Sequence, residues 1–75
     1  MTRVNTHKKD DNGIEIYTGD RITIFNKKWG DYEWATVKML QGEPWVYSGD
    51  IAEDSLSGYV DNPRYVVRVM KENAE

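Results

Sequence analysis

Apolar and polar residues alternate along most of the chain, a pattern typical of strands with one buried face. Alternation rich in β-branched and aromatic residues predicts strands over 14–17, 21–25, 32–40, 45–48 and 64–70. Turn residues, most of them glycine with asparagine, aspartate or proline, separate these segments. The pattern therefore predicts a mainly β chain.

One segment between the last two strands has a different pattern. Asp50 and Glu53 are spaced as a capping box, and Gly58 is placed to end a helical turn. This spacing predicts a short helix near 51–57. The expected fold is a small five-stranded barrel or a curled antiparallel sheet that carries this one helix.

The chain of 75 residues is long enough for one domain. Residues 1–13 are mostly polar and predict a flexible N-terminal arm. The regular alternation places a single β domain at 14–70, and residues 71–75 are expected to fray.

Strand parity divides the apolar residues between two faces. The first set forms an aliphatic core of Ile14, Ile16, Ile22, Ile24, Ala35, Val37, Met39, Tyr65, Val67 and Val69, joined by Val46, Leu56 and Val60. The opposite faces carry Tyr17, Phe25, Tyr32, Trp34, Trp45 and Tyr47, with Trp29 in a loop. Exposed rings in such number predict an interaction surface. The alternative is a one-residue slip in register, which would turn the same rings into the core.

Acidic charge is concentrated in one part of the chain. The net charge is −3, yet residues 41–62 carry five carboxylates and no Lys or Arg, which gives −5. The five are Glu43, Asp50, Glu53, Asp54 and Asp61. Such a block would attract a basic surface and repel nucleic acid.

The residue types that most chemistry requires are scarce. The chain has no cysteine, and its single histidine, His7, lies in the predicted arm. Asp50, Glu53 and Asp54 lack the spacing of a calcium loop. We therefore expect no enzyme, no metal and no cofactor. No apolar stretch approaches the length of a membrane span, so neither a membrane partner nor a location outside the cytoplasm is expected.

Three segments carry a resemblance to Src-homology-3-like (SH3-like) small barrels. Gly19-Asp20-Arg21-Ile22-Thr23-Ile24 is similar to the early strand of that family, and Tyr32-Glu33-Trp34-Ala35-Thr36-Val37 to its aromatic strand. Gly58-Tyr59-Val60-Asp61-Asn62-Pro63-Arg64-Tyr65-Val66 is similar to its closing stretch, in which a 3₁₀ turn leads into a Tyr-Val strand. The resemblance implies a five-stranded SH3-like barrel with Tyr17, Trp34 and Tyr65 on its ligand face.

The first functional hypothesis is a small non-enzymatic protein-binding module. Its partner would have a basic surface, and a short chain of this kind is similar to phage or mobile-element accessory proteins that inhibit a host factor in the host cytoplasm. The residues expected to contact the partner are Trp29, Tyr32, Trp34, Trp45 and Tyr47, with Glu43, Asp50, Glu53 and Asp54 steering its approach.

Two alternatives stay open. A nucleic-acid-binding protein would stack bases on the same rings and contact phosphates through Lys27, Lys28, Arg64 and Arg68. A structural subunit or homodimer would use the aromatic face as its own contact surface.

Overall fold

The computed structural model describes residues 3–70, so the expected fraying of 71–75 lies outside the described residues. The fold is mainly β, with one short helix between the last two strands. In chain order the elements are β1 (Asn5–Lys9), β2 (Glu15–Tyr17), β3 (Arg21–Asn26), β4 (Asp31–Leu40), β5 (Glu43–Ser48), β6 (Ile51–Ser55), α1 (Ser57–Val60) and β7 (Tyr65–Val69).

Five strands form one antiparallel sheet in the order β6-β5-β4-β3-β7. The remaining two, β1 and β2, pair with each other in a separate hairpin. Gln41 and Gly42, both with positive φ, form the two-residue turn between β4 and β5, as tight hairpins of type I′ require. The larger sheet is antiparallel and open, with β6 and β7 as its edges, so it is not closed into the barrel that was the first expectation.

The core lies against one face of the sheet. Its buried members are Ile16, Ile22, Ile24, Ala35, Val37, Val46, Leu56 and Val67, with Tyr59, Val60, Tyr65 and Val69 packed against them. The predicted parity is therefore correct for β3, β4 and β7. Two residues assigned to the core are exposed instead: Ile14 precedes β2 at a turn, and Met39 lies near the far end of β4.

The helix predicted near 51–57 is wrong for most of its length. Ile51–Ser55 forms strand β6, and α1 begins only at Ser57. Gly49 has a φ of 63° and stands first in a two-residue hairpin loop that Ser48 and Ile51 close. Asp50 is thus a turn residue rather than a helix cap. Pairing with β5 outweighs the local capping signal because it supplies backbone hydrogen bonds along the whole strand.

The predicted N-terminal arm contains a strand. Asn5–Lys9 forms β1, and the hydroxyl of Thr6 donates to the carbonyl of Ile16 at 2.7 Å. Polar composition did not indicate this strand because β1 pairs with only one other strand and has no buried residue.

Two buried carboxylates attach this N-terminal hairpin to the sheet. Asp10 accepts hydrogen bonds from the backbone N–H groups of Asn12, Ile14 and Val69 at 2.8, 2.8 and 2.9 Å. Asp20 accepts from the N–H of Tyr17 at 2.9 Å and pairs with the guanidinium of Arg3. Each carboxylate therefore replaces backbone pairing where the chain turns, and Asp10 also covers part of the β7 edge.

No helix among residues 3–70 has the length and apolar content needed to cross a membrane.

Candidate functional site

The face of the sheet that points away from the core forms one continuous surface, here called the outer face. Cross-strand partners share a face, so the register assigns its members directly. Phe25 pairs with Tyr32 and Val66, and Thr23 pairs with Trp34 and Arg68. The full set is Arg21, Thr23, Phe25, Tyr32, Trp34, Thr36, Lys38, Leu40, Glu43, Trp45, Tyr47, Ala52, Ser55, Val66, Arg68 and Met70.

Three large aromatic residues on or beside the outer face are exposed to solvent. Tyr32 and Trp34 on β4 are 69% and 65% exposed, and Trp29 in the loop that joins β3 to β4 is 71% exposed. The ring of Phe25 lies 4.9 Å from that of Tyr32, centroid to centroid. These rings contribute exposed surface rather than core volume, so the register slip considered for β4 does not occur.

The loop that carries Trp29 is ordered by one side chain. The Oδ1 of Asn26 accepts hydrogen bonds from the backbone N–H groups of Lys28 at 2.9 Å and Trp29 at 3.2 Å. The Nζ of Lys28 lies 5.4 Å from the centre of the Trp29 ring, within the range of a cation–π contact. The loop therefore presents an aromatic ring and a cation together.

The aromatic residues of β5 extend the outer face but are less exposed. Trp45 and Tyr47 are half-buried. The indole Nε1 of Trp45 donates to the Oε2 of Glu43 at 3.2 Å, and the Nζ of Lys38 lies 5.1 Å from the centre of the Tyr47 ring. Both rings are thus partly committed to neighbours within the chain.

Two depressions lie on this surface, one on each side of the line of cross-strand partners that contains Trp34. One, of about 250 Å³, is lined by Thr23, Phe25, Tyr32, Val66 and Arg68. The other, of about 320 Å³, is lined by Arg21, Trp34, Ala35, Thr36, Tyr47, Gly49 and Met70. Both are at the small end of ligand-binding cavities, so the surface suits contact with parts of a larger molecule.

Basic side chains are placed on the outer face or near it. Arg68 is a member through its pairing with Thr23, while Lys27 and Lys28 lie in the adjoining loop. Arg64 is exposed just before β7, where its carbonyl accepts from the N–H of Lys27 at 2.9 Å. Arg21 and Lys38 were not predicted to contact a partner, although the alternation of residues along β3 and β4 could have identified them as members of the outer face.

The acidic residues expected to steer a partner are divided between separate places. Glu43 lies on the outer face, and Asp50 lies in the β5–β6 turn. Asp54 pairs with the buried Val46 and so points to the core side, where a Cβ added to Gly58 of α1 would stand 2.8 Å from its Oδ2. The structure therefore does not bring Glu53 and Asp54 together with the exposed rings.

Glu53 and Asp54 belong instead to what we call the Tyr59 cluster, together with Glu33 and Tyr59. Burial raises the pKa of Glu33, and the negative charges of Glu53 and Asp31 raise it further. Burial is also the main cause that raises the pKa of Tyr59 to about 12, followed by the charges of Glu33 and Glu53. The acidic charge is thus concentrated on the core side of the sheet.

The ligand face that the SH3-like resemblance implies is not assembled. Trp34 lies on the outer face, whereas Tyr65 pairs with Asn26 on the core side. The ring of Tyr65 packs against that of Tyr59, with 5.0 Å between the ring centroids. Tyr17 belongs to the β1–β2 hairpin, where the guanidinium of Arg3 covers its ring at 4.9 Å.

Among residues 3–70, no group of three or more His, Cys, Asp or Glu side chains is arranged to hold a metal ion. Comparison with protein families, with curated proteins and with solved structures finds no match to this chain.

Proposed function

We propose that this chain is a non-enzymatic binding module that recognises a macromolecular partner through the outer face of its sheet. The observation that carries the proposal is the exposure of Trp29, Tyr32 and Trp34 in one hairpin and its loop. Large rings are strongly favoured in buried positions, and an exposed group of them is typical of a contact surface. Trp and Tyr are also the residues that most often dominate binding energy.

The division of charge changes which protein partner would fit. A partner with a basic surface would meet Asp54 on the core side, away from the rings, and Glu53 near Glu33 and Tyr59. A protein docked on the outer face would instead face Arg21, Lys38 and Arg68. The proposal therefore keeps the aromatic residues of the first hypothesis and removes those two carboxylates from the contact.

The SH3-like resemblance receives limited support. A helical turn, α1, does precede a final strand that begins Tyr65-Val66, as in that family's closing stretch. The open sheet and the separation of Trp34 from Tyr65 do not support a ligand site of that family. We therefore base the proposed site on the outer face alone.

The test compares two exposed residues on opposite sides of the sheet. Trp34 on the outer face and Ile51 on β6 are 65% and 67% exposed, and Ile51 pairs with Ser48 on the core side. The tagged chain and its Trp34→Ala and Ile51→Ala variants would each be used for affinity capture from an extract of the native cells, with both proteins and nucleic acids identified. We expect Trp34→Ala to lose the captured partner and Ile51→Ala to retain it.

Equal capture by all three chains would contradict the proposal. Light scattering on the purified chain covers the homodimer alternative. A dimer that Trp34→Ala converts to a monomer would assign the outer face to self-association and would also overturn the proposal. Both variants alter exposed side chains, so their stability should stay within about 0.5 kcal/mol of the parent chain.

A further inference from the structure

We propose that the partner of the outer face is a single-stranded nucleic acid, whose bases stack on the exposed rings while its phosphates meet the basic side chains beside them. This inference rests on the proposed function and names the class of partner for the same site.

The centre of the face mixes aromatic rings with polar and cationic side chains. Thr23 lies between Trp34 and Arg68, while Phe25 lies between Tyr32 and Val66, so hydroxyl and cationic groups border the rings together with apolar ones. A protein contact of high affinity usually has an apolar centre that is depleted of charge. Planar rings among hydroxyls and cations instead suit bases, which stack on aromatic side chains irrespective of sequence.

The spacing of the rings also matches that of bases along an unpaired strand. Tyr32 and Trp34 are two residues apart on one strand, so their Cα atoms are about 7 Å apart and both side chains point outward. Bases splayed from a flexible single strand can contact such a ladder, whereas bases paired inside a duplex cannot present their flat faces to it. The arrangement therefore favours an unpaired strand.

Cations outnumber carboxylates on and beside the outer face. Lys38 and Arg68 stand on the face, and Lys27 and Lys28 lie in the adjoining loop. The opposing carboxylates are Glu43, which accepts a hydrogen bond from Trp45, and Asp11, which pairs with Arg68. Of the five carboxylates between 41 and 62, Glu43 alone belongs to this face. The net charge of the chain is thus no obstacle, because a polyanion approaching the outer face meets a local excess of positive charge.

Arg68 is held by an exposed ion pair. Its guanidinium lies 3.4 Å from the Oδ2 of Asp11, and both side chains are more than half exposed. An ion pair this exposed contributes little stability and exchanges readily. A phosphate could therefore replace Asp11 as the partner of Arg68 through a stronger bidentate contact.

The experiment measures fluorescence anisotropy of labelled oligothymidylate and oligouridylate, each about 12 nucleotides long, and of a duplex of the same length. We expect the intact chain at low salt to bind both single strands more tightly than the duplex. Trp34→Ala should weaken single-strand binding about 5- to 100-fold through the loss of one stacked base. Arg68→Gln should weaken binding and reduce the slope of log affinity against log salt by about 0.7.

Ile51→Ala is the matched control, equally exposed but on the core side, and should bind like the parent chain. The inference is overturned if neither strand binds at low salt, if the duplex binds as tightly as the strands, or if both outer-face variants bind unchanged. A protein that is captured by the parent chain and lost with Trp34→Ala, in the absence of strand binding, would overturn this inference alone. Capture unaffected by Trp34→Ala would overturn the proposed function itself.

Discussion

The two faces of the five-stranded sheet are built from the same strands and have opposite characters. On the core side, Ile22 and Ile24 of β3 are buried against Leu56 and their neighbours. On the outer face, Thr23 and Phe25 of the same strand stand beside exposed rings and cations. In a chain this small the apolar core uses one face of the sheet only. The outer face is therefore free to differ in sequence without loss of the fold, which is the condition for a binding surface.

The largest effect expected from this comparison comes from adjacent residues of β3. Ile22→Ala removes a fully buried side chain and should lower the free energy of unfolding by about 3 kcal/mol, since it leaves a cavity in the core. Thr23→Ala, one position along and on the outer face, should change it by less than about 0.5 kcal/mol. Urea denaturation followed by circular dichroism measures both values.

Ile22→Val is the milder variant, to be measured in case Ile22→Ala does not fold. Ile22→Val should lower the free energy of unfolding by about 1 kcal/mol. Similar losses at Ile22 and Thr23 would mean that the outer face is packed against something in the isolated chain, which would contradict its assignment as a free surface.

A smaller effect on the free energy of unfolding is expected at two adjacent aspartates, whose side chains contact different parts of β7. Asp10 accepts three backbone hydrogen bonds, including one from Val69 at the edge of β7, whereas Asp11 reaches Arg68 of the outer face. Asp10→Ala leaves these N–H groups without their acceptor and should cost about 2 kcal/mol of unfolding free energy. Asp11→Ala removes a surface ion pair and should cost less than about 0.5 kcal/mol.

Thermal unfolding of the two variants, compared with the parent chain at the same pH and salt, measures this difference. Asp11→Ala has a second use, because it removes the carboxylate that competes for Arg68. If the inference about the outer face is correct, it should bind a single strand at least as tightly as the parent chain. Weaker binding by Asp11→Ala would count against a phosphate contact at Arg68.

Parity along the strands was the part of the fold that the sequence predicted well. Ile22, Ile24, Val37 and Val67 are buried as expected because alternation directly determines which face a residue occupies. Alternation says nothing about how far the core extends along a strand, and Met39 is exposed because it lies near the end of β4. The same limit applies to Ile14 before β2.

The exposure of Tyr32 and Trp34 was predicted from parity, whereas the distribution of charge between the faces was not. The acidic residues were grouped by their position along the chain rather than by face. Folding then separated Glu43 from Glu53 and Asp54, through the hairpin that placed 51–55 in β6. A capping box is a local signal for a helix, and here it was outweighed by strand pairing, which forms only in the folded sheet. In a β protein, charge therefore has to be counted for each face of the sheet and not for each segment of the chain.

The smallest expected effect concerns carboxylates on the two sides of the sheet. Because the pKa of Glu33 is raised in the folded chain, the folded state holds its proton more tightly, and stability falls as the pH rises through the interval between the unfolded and folded values. Glu33→Gln should therefore be more stable than the parent chain at about pH 7, by no more than about 0.5 kcal/mol, and the gain should vanish below about pH 4.

The same change, Glu33→Gln, should lower the pKa of Tyr59 from about 12 towards its ordinary value, since it removes a neighbouring negative charge. Ultraviolet titration of tyrosinate, with Tyr59→Phe to identify the signal, measures this pKa. Glu43→Gln, which alters the outer-face carboxylate, should leave it unchanged, and equal shifts in the two variants would contradict the separation of charge between the faces.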